Sequence, residues 1–250
     1  MKNAIITLSI GEEFRSIAEI THPLIKQYAD SCSADFIVIN EQKTSTGARP
    51  HFEKFQIAKY FDVYDRIAYI DTDIIILPKS PNLFLEVPSN KFGACIVSKI
   101  DGRFAKEISL INQELGQIDW HHDYFNSGVM VISASHREIF NPPNDELIKW
   151  SSGDFRKHTK ALFDQTLINY QLNRLGFELY DIGFRYNHTP AWNNSHKRFN
   201  SHFLHFAGSK GHRKGIRIEQ IKLDYIVATS KTRLWFRRNF PHFGYILDRI

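Results

Sequence analysis

The sequence predicts an α/β fold: one domain built on a doubly wound, mainly parallel β-sheet flanked by helices. Two observations predict it. Through the first 77 residues, short apolar runs of strand length alternate with segments whose apolar residues recur at helical spacing. The third such run, Arg66-Ile-Ala-Tyr-Ile-Asp71-Thr72-Asp73-Ile-Ile-Ile-Leu77, is nearly continuous in β-branched and apolar residues, as expected of a central strand buried on both faces. No internal repeat, low-complexity tract or composition break divides the 250 residues.

Taken in order, residues 3–9 form the first strand, with Thr7, Leu8 and Ser9 at its C-terminal end. Apolar residues from Phe14 to Cys32 follow the helical period, and Pro23 inside them predicts a kink or two shorter helices. Phe36–Ile39 is the second strand, 41–50 a polar loop, and Phe52, Phe55, Ile57, Ala58 and Phe61 mark a helix. The central strand then runs through Asp71 and Asp73, and its two-residue period directs both carboxylates to one side. A turn and short helix (78–88), a strand (92–97) and one helix within 99–124 follow. His121-His122-Asp123 reads as loop, because adjacent residues rarely converge on one ion. The Asn126-Ser127-Gly128 corner leads into a strand to Ile132. A helix over 137–150 is interrupted at Pro142-Pro143, and another over 161–175 carries Asp164-Gln165 in its first turn. Strands at 178–180 and 201–206 complete the sheet.

Composition narrows the function classes. No apolar stretch reaches the roughly 18 residues of a membrane span, and the run Ala4–Ile10 passes into Gly11-Glu12-Glu13 without a cleavage site, as a first strand does and a signal peptide does not. With Cys32 and Cys95 the only cysteines, a disulfide framework is not expected and a reducing, cytoplasmic compartment is. Charge is uneven. From Lys197 onward twelve Lys and Arg face three acidic residues, a net of +9, which leaves −4 on the rest of the chain. The tail from Lys231 to Tyr245 mixes these cations with Trp235, Phe236, Phe240 and Phe243. That mixture suits an anionic membrane surface, with packing against the domain and nucleic-acid binding as the competing readings.

Ligands of doubly wound sheets gather at the C-terminal ends of the strands, where Ser9 and Asp71–Asp73 fall. No Gly-x-Gly-x-x-Gly or Walker loop follows the first strand, which disfavours dinucleotide and ATP-hydrolase readings. Two buried carboxylates side by side either share a proton or capture a cation, and a hard divalent ion answers both charges at once.

Six segments, in order, resemble the retaining family 8 glycosyltransferases: Ile5-Ile-Thr7-Leu8; Phe52-Glu-Lys54-Phe55; Tyr69-Ile-Asp71-Thr-Asp73 with Asn82-Leu-Phe84 after it; Phe125-Asn126-Ser127-Gly128-Val129; Phe163-Asp164-Gln165-Thr-Leu-Ile-Asn169; and Leu204-His205-Phe206-Ala-Gly208-Ser-Lys210. The resemblance covers about residues 1–215 and implies a single Rossmann-like GT-A domain, leaving 216–250 as a basic, aromatic helical tail for membrane-surface attachment. It implies a metal held by Asp71, Asp73 and His205. It also implies a nucleotide-sugar site from Thr7, Leu8, Ser9, Lys54, Asp71, Thr72, Asp73, Asn126, Ser127, Gly128, Gly208 and Lys210, with Asp164 and Gln165 at the reacting centre. Departures exist: the family's Lys-Pro-Trp is replaced by Ser209-Lys210-Gly211-His212-Arg213-Lys214, and the acidic residues near the first strand are Glu12 and Glu13.

Carboxylate and imidazole ligands together suit Mn²⁺, or Mg²⁺, bridging a diphosphate leaving group. Asp164 serves as nucleophile, as stabiliser of an oxocarbenium-like transition state, or merely as a helix-dipole partner. The expected activity is metal-dependent transfer of a hexose from UDP-glucose or UDP-galactose to a glycan or lipid-linked saccharide, with retention, by an enzyme peripheral to the inner membrane face. An inverting transferase on the same fold is the nearest alternative. A nucleic-acid-binding protein is the alternative from another class, with nucleic acid ranked last among partners.

Overall fold

The computed structural model describes residues 1–43, 49–98, 103–152, 163–192, 194–208 and 216–242. Strand β1 (Asn3–Leu8) leads through helix α1 (Glu12–Ser31) to β2 (Ala34–Ile39), and a 3₁₀ helix (Pro50–Asp62) leads on to β3 (Arg66–Ile70). After β4 (Ile74–Ile76) come α2 (Leu83–Glu86), β5 (Phe92–Ile96), α3 (Arg103–Leu115) and β6 (Phe125–Ser133). A second 3₁₀ helix (Ala134–Phe140), α4 (Asn144–Ser152), α5 (Phe163–Arg174), β7 (Leu179–Asp181), β8 (Phe203–His205), α6 (Arg217–Thr229) and α7 (Lys231–Asn239) follow.

Six strands form one sheet in the order β2-β1-β3-β6-β5-β7. β1 runs parallel to β2 and β3, and β5 parallel to β7, while β6 is antiparallel to both neighbours. Apolar side chains alternate across it with period two. Ala4, Ile6, Ile67, Tyr69, Met130 and Ile132 pack toward Phe52, Phe55, Trp150 and Ile168, whereas Ile5, Ala68, Ile70, Val129 and Val131 pack toward Ile25, Tyr28 and Phe203.

Four expectations are corrected. The central strand does not continue through the two aspartates: β3 stops at Ile70, and β4 restarts at Ile74 in a separate two-stranded sheet, antiparallel to β8. For the same reason the 201–206 strand pairs with β4 and not with the main sheet. Helix α1 is unbroken by Pro23, because Pro23 and Glu19, whose carbonyl it cannot bond, both lie on the exposed face. The segment after the loop is 3₁₀ over its whole length; Phe52, Phe55, Ala58 and Phe61 recur every third residue, and a turn of three residues stacks them on one face toward the core.

The C-terminal helices belong to the body of the fold. Ile221 and Ala228 of α6 and Leu234 of α7 join Ile17, Ile75 and Leu204 in a third apolar cluster. Beneath it Arg198 grips Asp224 through two bonds, Nε to Oδ2 at 2.7 Å and Nη2 to Oδ1 at 2.8 Å, both residues buried. Among the described residues no helix is long and apolar enough to cross a membrane.

Removing one member of such a buried pair strands the other's charge. Asp224→Ala is therefore expected to lose about 3–5 kcal/mol of stability in chemical denaturation, and a loss under about 1 kcal/mol argues against the anchor. Burial lowers the pKa of both His22 and His188 from 6.5 to about 4. Between those values the unfolded chain binds the proton more readily, so this stabilisation is complete above pH 6.5 and is lost as pH falls toward 4. Thermal midpoints are expected to drop across that window, and a His188→Gln variant to give the flatter profile.

Candidate active site

The break between β3 and β4 builds the site. The Asp71 N–H donates to Gly128 O on β6 at 2.8 Å, and the Asp73 carbonyl accepts from Phe206 N at 2.9 Å, so the three-residue jog hands the chain from one sheet to the other. Helix α1 clamps its middle residue. Thr21 Oγ1 donates to the Thr72 carbonyl at 2.6 Å, and His22 Nε2 lies 2.6 Å from Thr72 Oγ1. Both carboxylates thereby face His205, at the end of β8. Its Nε2 is 3.3 Å from Asp73 Oδ1 and 3.7 Å from Asp71 Oδ2, and one ligand atom from each residue lies within 4.8 Å of the others.

A backbone N–H decides which nitrogen of His205 carries the proton. Gly128 N–H donates to Asn126 Oδ1 at 2.9 Å; that oxygen therefore also accepts from Asn187 Nδ2, at 2.7 Å. Asn187 Oδ1 is left facing His205 Nδ1 at 2.7 Å, so Nδ1 holds the proton and Nε2 presents its lone pair to the two aspartates. Three acceptors that face one another repel unless a cation lies among them. Two carboxylates and one imidazole whose ring is held by the Asn187 amide fit a divalent ion. Gly128 is required here, since a Cβ on it would overlap the His205 ring, 2.8 Å from Nδ1.

Lys54 ties this cluster to α5. Buried in the 3₁₀ helix, its Nζ lies 3.2 Å from Asp71 Oδ1, 2.9 Å from Asp164 Oδ2 and 3.2 Å from Ser127 Oγ. Burial disfavours its charge, but Asp164 and Asp71 outweigh burial and raise its pKa, so it stays protonated. Tyr69 donates to Asp71 Oδ1 at 2.7 Å, and burial together with that carboxylate holds its pKa well above 10. Burial alone would raise the pKa of Asp73; positive charge beside it, the Arg217 guanidinium included, reverses this and holds it below the usual carboxylate range. Arg217 Nη1 is 3.1 Å from Asp73 Oδ2.

Helix α5 reads the backbone of 121–127 with one polar stripe. Gln165 Oε1 accepts from Ser127 N and Asn126 Nδ2, Asn169 bonds both N and O of Phe125, and Asn173 Oδ1 accepts from His121 N and His122 N. The spacing of four keeps all three on one face. His121 and His122 accordingly sit in a loop, and among the described residues they join no metal-ligating group.

These side chains line a cavity of about 630 Å³, a size suited to a small ligand. Leu8, Lys54, Asp71, Thr72, Asp73, Asn126, Ser127, Asp164, Gln165, His205 and Gly208 all face it. Thr7 and Ser9 do not line it: strand alternation puts Thr7 on the opposite face from Leu8, and Ser9 borders a groove beside α1. Gly128 lies behind His205, outside the lining. Lys210 is outside the described residues. Sequence patterns assigned Arg217 and Asn187 no part in the site, named Tyr69 only within the Asp71–Asp73 motif, and named Glu13 only in the acidic pair after the first strand.

Loss of Asn187 frees the His205 ring to turn. Asn187→Ala is expected to weaken Mn²⁺ binding, followed by electron paramagnetic resonance, about ten-fold or more; unchanged affinity in a folded variant means that Asn187 does not orient His205 for the metal.

The profile of glycosyl transferase family 8 matches residues 3–211. No curated protein matches the chain by sequence. Solved structures share its fold. One is a glycosyltransferase involved in glycosylation of the major capsid of PBCV-1, at 18% identity and TM-score 0.55, with 87% of this chain and 99% of that one covered. Galactosyltransferase LgtC with donor and acceptor sugar analogues aligns at 14% identity and TM-score 0.56, covering 91% and 96%. The bifunctional glycosyltransferase WbbM aligns at 12% and 0.60, covering 95% of this chain and 52% of the other. A profile match across most of the chain, on a sheet that opens a carboxylate-and-imidazole cavity at its strand ends, means that this protein belongs to glycosyl transferase family 8 and is a glycosyltransferase of GT-A fold.

Proposed function

We propose that the enzyme transfers a hexose from UDP-glucose or UDP-galactose to a saccharide acceptor with retention of configuration. The observation that carries this reading is the bridge of Lys54 between Asp71 and Asp164, which joins a cation-seeking cluster to a sugar-sized polar wall inside one cavity. Asp71, Asp73 and His205 would hold a divalent ion, Mn²⁺ by its ligand chemistry, which would supply Lewis-acid stabilisation to a departing diphosphate. Lys54 adds a fixed positive charge beside it, already desolvated and therefore effective. Leu8, Thr72 and Gly208 border the nucleotide; Gly208 holds a positive φ of 80°, a conformation that residues with side chains rarely adopt.

Gln165, Asn126 and Ser127 offer amide and hydroxyl groups to the sugar hydroxyls. Asp164, its Oδ2 held by Lys54 and by Ser127 Oγ at 3.1 Å, directs negative charge toward the anomeric carbon as positive charge develops there. The acceptor enters on the face the leaving group vacates: the bond from C1 to the phosphate oxygen breaks, the bond from the acceptor oxygen to C1 forms, and the acceptor proton passes to the departing phosphate oxygen.

Helices α6 and α7 expose Leu223, Ile226 and Trp235, with Phe240 just past α7, among Lys222, Lys231 and Arg233. This favours a role for 216–250 in attachment to an anionic membrane surface, on the cytoplasmic side, with a lipid-linked acceptor.

With Mn²⁺ present, a panel of nucleotide sugars is expected to show slow hydrolysis of one uridine donor, reduced about a hundred-fold or more in Asp73→Ala. A folded enzyme that turns over none of them defeats the donor assignment, and a product of inverted anomeric configuration by NMR defeats retention.

A further inference from the structure

Arg217 opens α6 and closes the charge balance of the cavity. Its Nη1 donates to Asp73 Oδ2 at 3.1 Å, its Nη2 pairs with Glu13, and the guanidinium lies 5.4 Å over the Phe14 ring. Glu13, Phe14, Asp73 and Arg217 all line the cavity. Asp73 is thus shared: Oδ1 faces His205, while Oδ2 is neutralised by a cation of the chain itself. A divalent ion entering among Asp71, Asp73 and His205 meets that guanidinium as a competitor for one of its ligands.

The pairing is not needed to hold α6, which the buried Arg198–Asp224 pair and the packing of Ile221 and Ala228 already anchor. The other end of the contact is weak, since Glu13 is 68% exposed. A planar guanidinium matches two phosphate oxygens better than one carboxylate oxygen, and among the described residues the buried Arg217 Nε meets no hydrogen-bond acceptor.

Resting on the nucleotide-sugar reading above, we propose that Arg217 is an exchangeable counter-ion. It neutralises Asp73 while the cavity holds no donor, and it transfers its guanidinium to the diphosphate when the donor and its metal enter. It thereby adds a phosphate-binding cation that the sequence motifs did not name.

The proposal predicts effects of opposite sign from one substitution. By calorimetry, R217A is expected to bind UDP with Mn²⁺ about ten-fold more weakly or worse, the scale of one charge-assisted hydrogen bond. The same variant is expected to bind Mn²⁺ alone about three-fold more tightly, since a competing cation is gone. R217K, which retains charge without the fork, should keep wild-type Mn²⁺ affinity and lose part of the UDP affinity. Thermal melting of each variant reports folding separately. If R217A weakens both ligands, or alters neither while the wild type binds both, Arg217 is only a latch. If the wild-type protein binds neither UDP nor Mn²⁺, the donor reading falls and this inference with it.

Discussion

An imidazole lone pair set against two carboxylates is a repulsive arrangement, and folded proteins keep it only around positive charge. In this transferase the arrangement is enforced from outside the cluster. The Gly128 N–H orients Asn126, Asn126 orients Asn187, and Asn187 orients His205, so the lone pair on Nε2 is imposed by a backbone donor that has no alternative state. Pre-orientation of this kind means that little rearrangement is needed when a cation arrives.

The scaffold supplies the rest by a change of sheet. A strand running straight through Asp71 and Asp73 would have put both carboxylates on one flat face. The jog instead lets the Asp71 amide finish the pairing with β6 while the Asp73 carbonyl starts the pairing toward β8, the strand that bears His205. Thr72, held through both its carbonyl and its hydroxyl by α1, prevents the jog from relaxing into regular strand. The metal-seeking cluster therefore lies where two sheets and a helix meet, which also leaves the cavity open at the strand ends.

Charge links this cluster to the start of α5. Lys54 touches Asp71, Asp164 and Ser127 at once, and its burial makes each of those contacts stronger than it would be in water. Arg217 completes the balance, pairing with buried Asp73 through one nitrogen and with exposed Glu13 through another. Two of the cations that line the cavity thus differ: Lys54 is buried among acidic groups, and Arg217 divides its guanidinium between a buried and an exposed carboxylate.

Much of this was legible in the chain itself. Period-two and helical patterns marked the strands and helices of the sheet, and Asp71, Asp73, Asn126, Asp164, Gln165 and His205 stood in short local motifs whose order along the chain named the family. What the sequence could not reveal were partnerships with no local signature. Asn187 meets Asn126 across 61 residues and Arg217 meets Asp73 across 144, and neither residue differs in its own neighbourhood from an ordinary turn asparagine or a helix-start arginine. The three-residue period of Phe52, Phe55, Ala58 and Phe61 was present, but so short a pattern fits α and 3₁₀ turns alike until packing chooses. Sequence determined which residues could ligate, neutralise and pack, because those are properties of side chains and of local spacing. Only the tertiary structure decided that a strand breaks between its two aspartates, which face Thr7 and Leu8 each take, and which distant amide and guanidinium close the site, because those depend on hydrogen bonds between segments that meet only when the sheets are assembled.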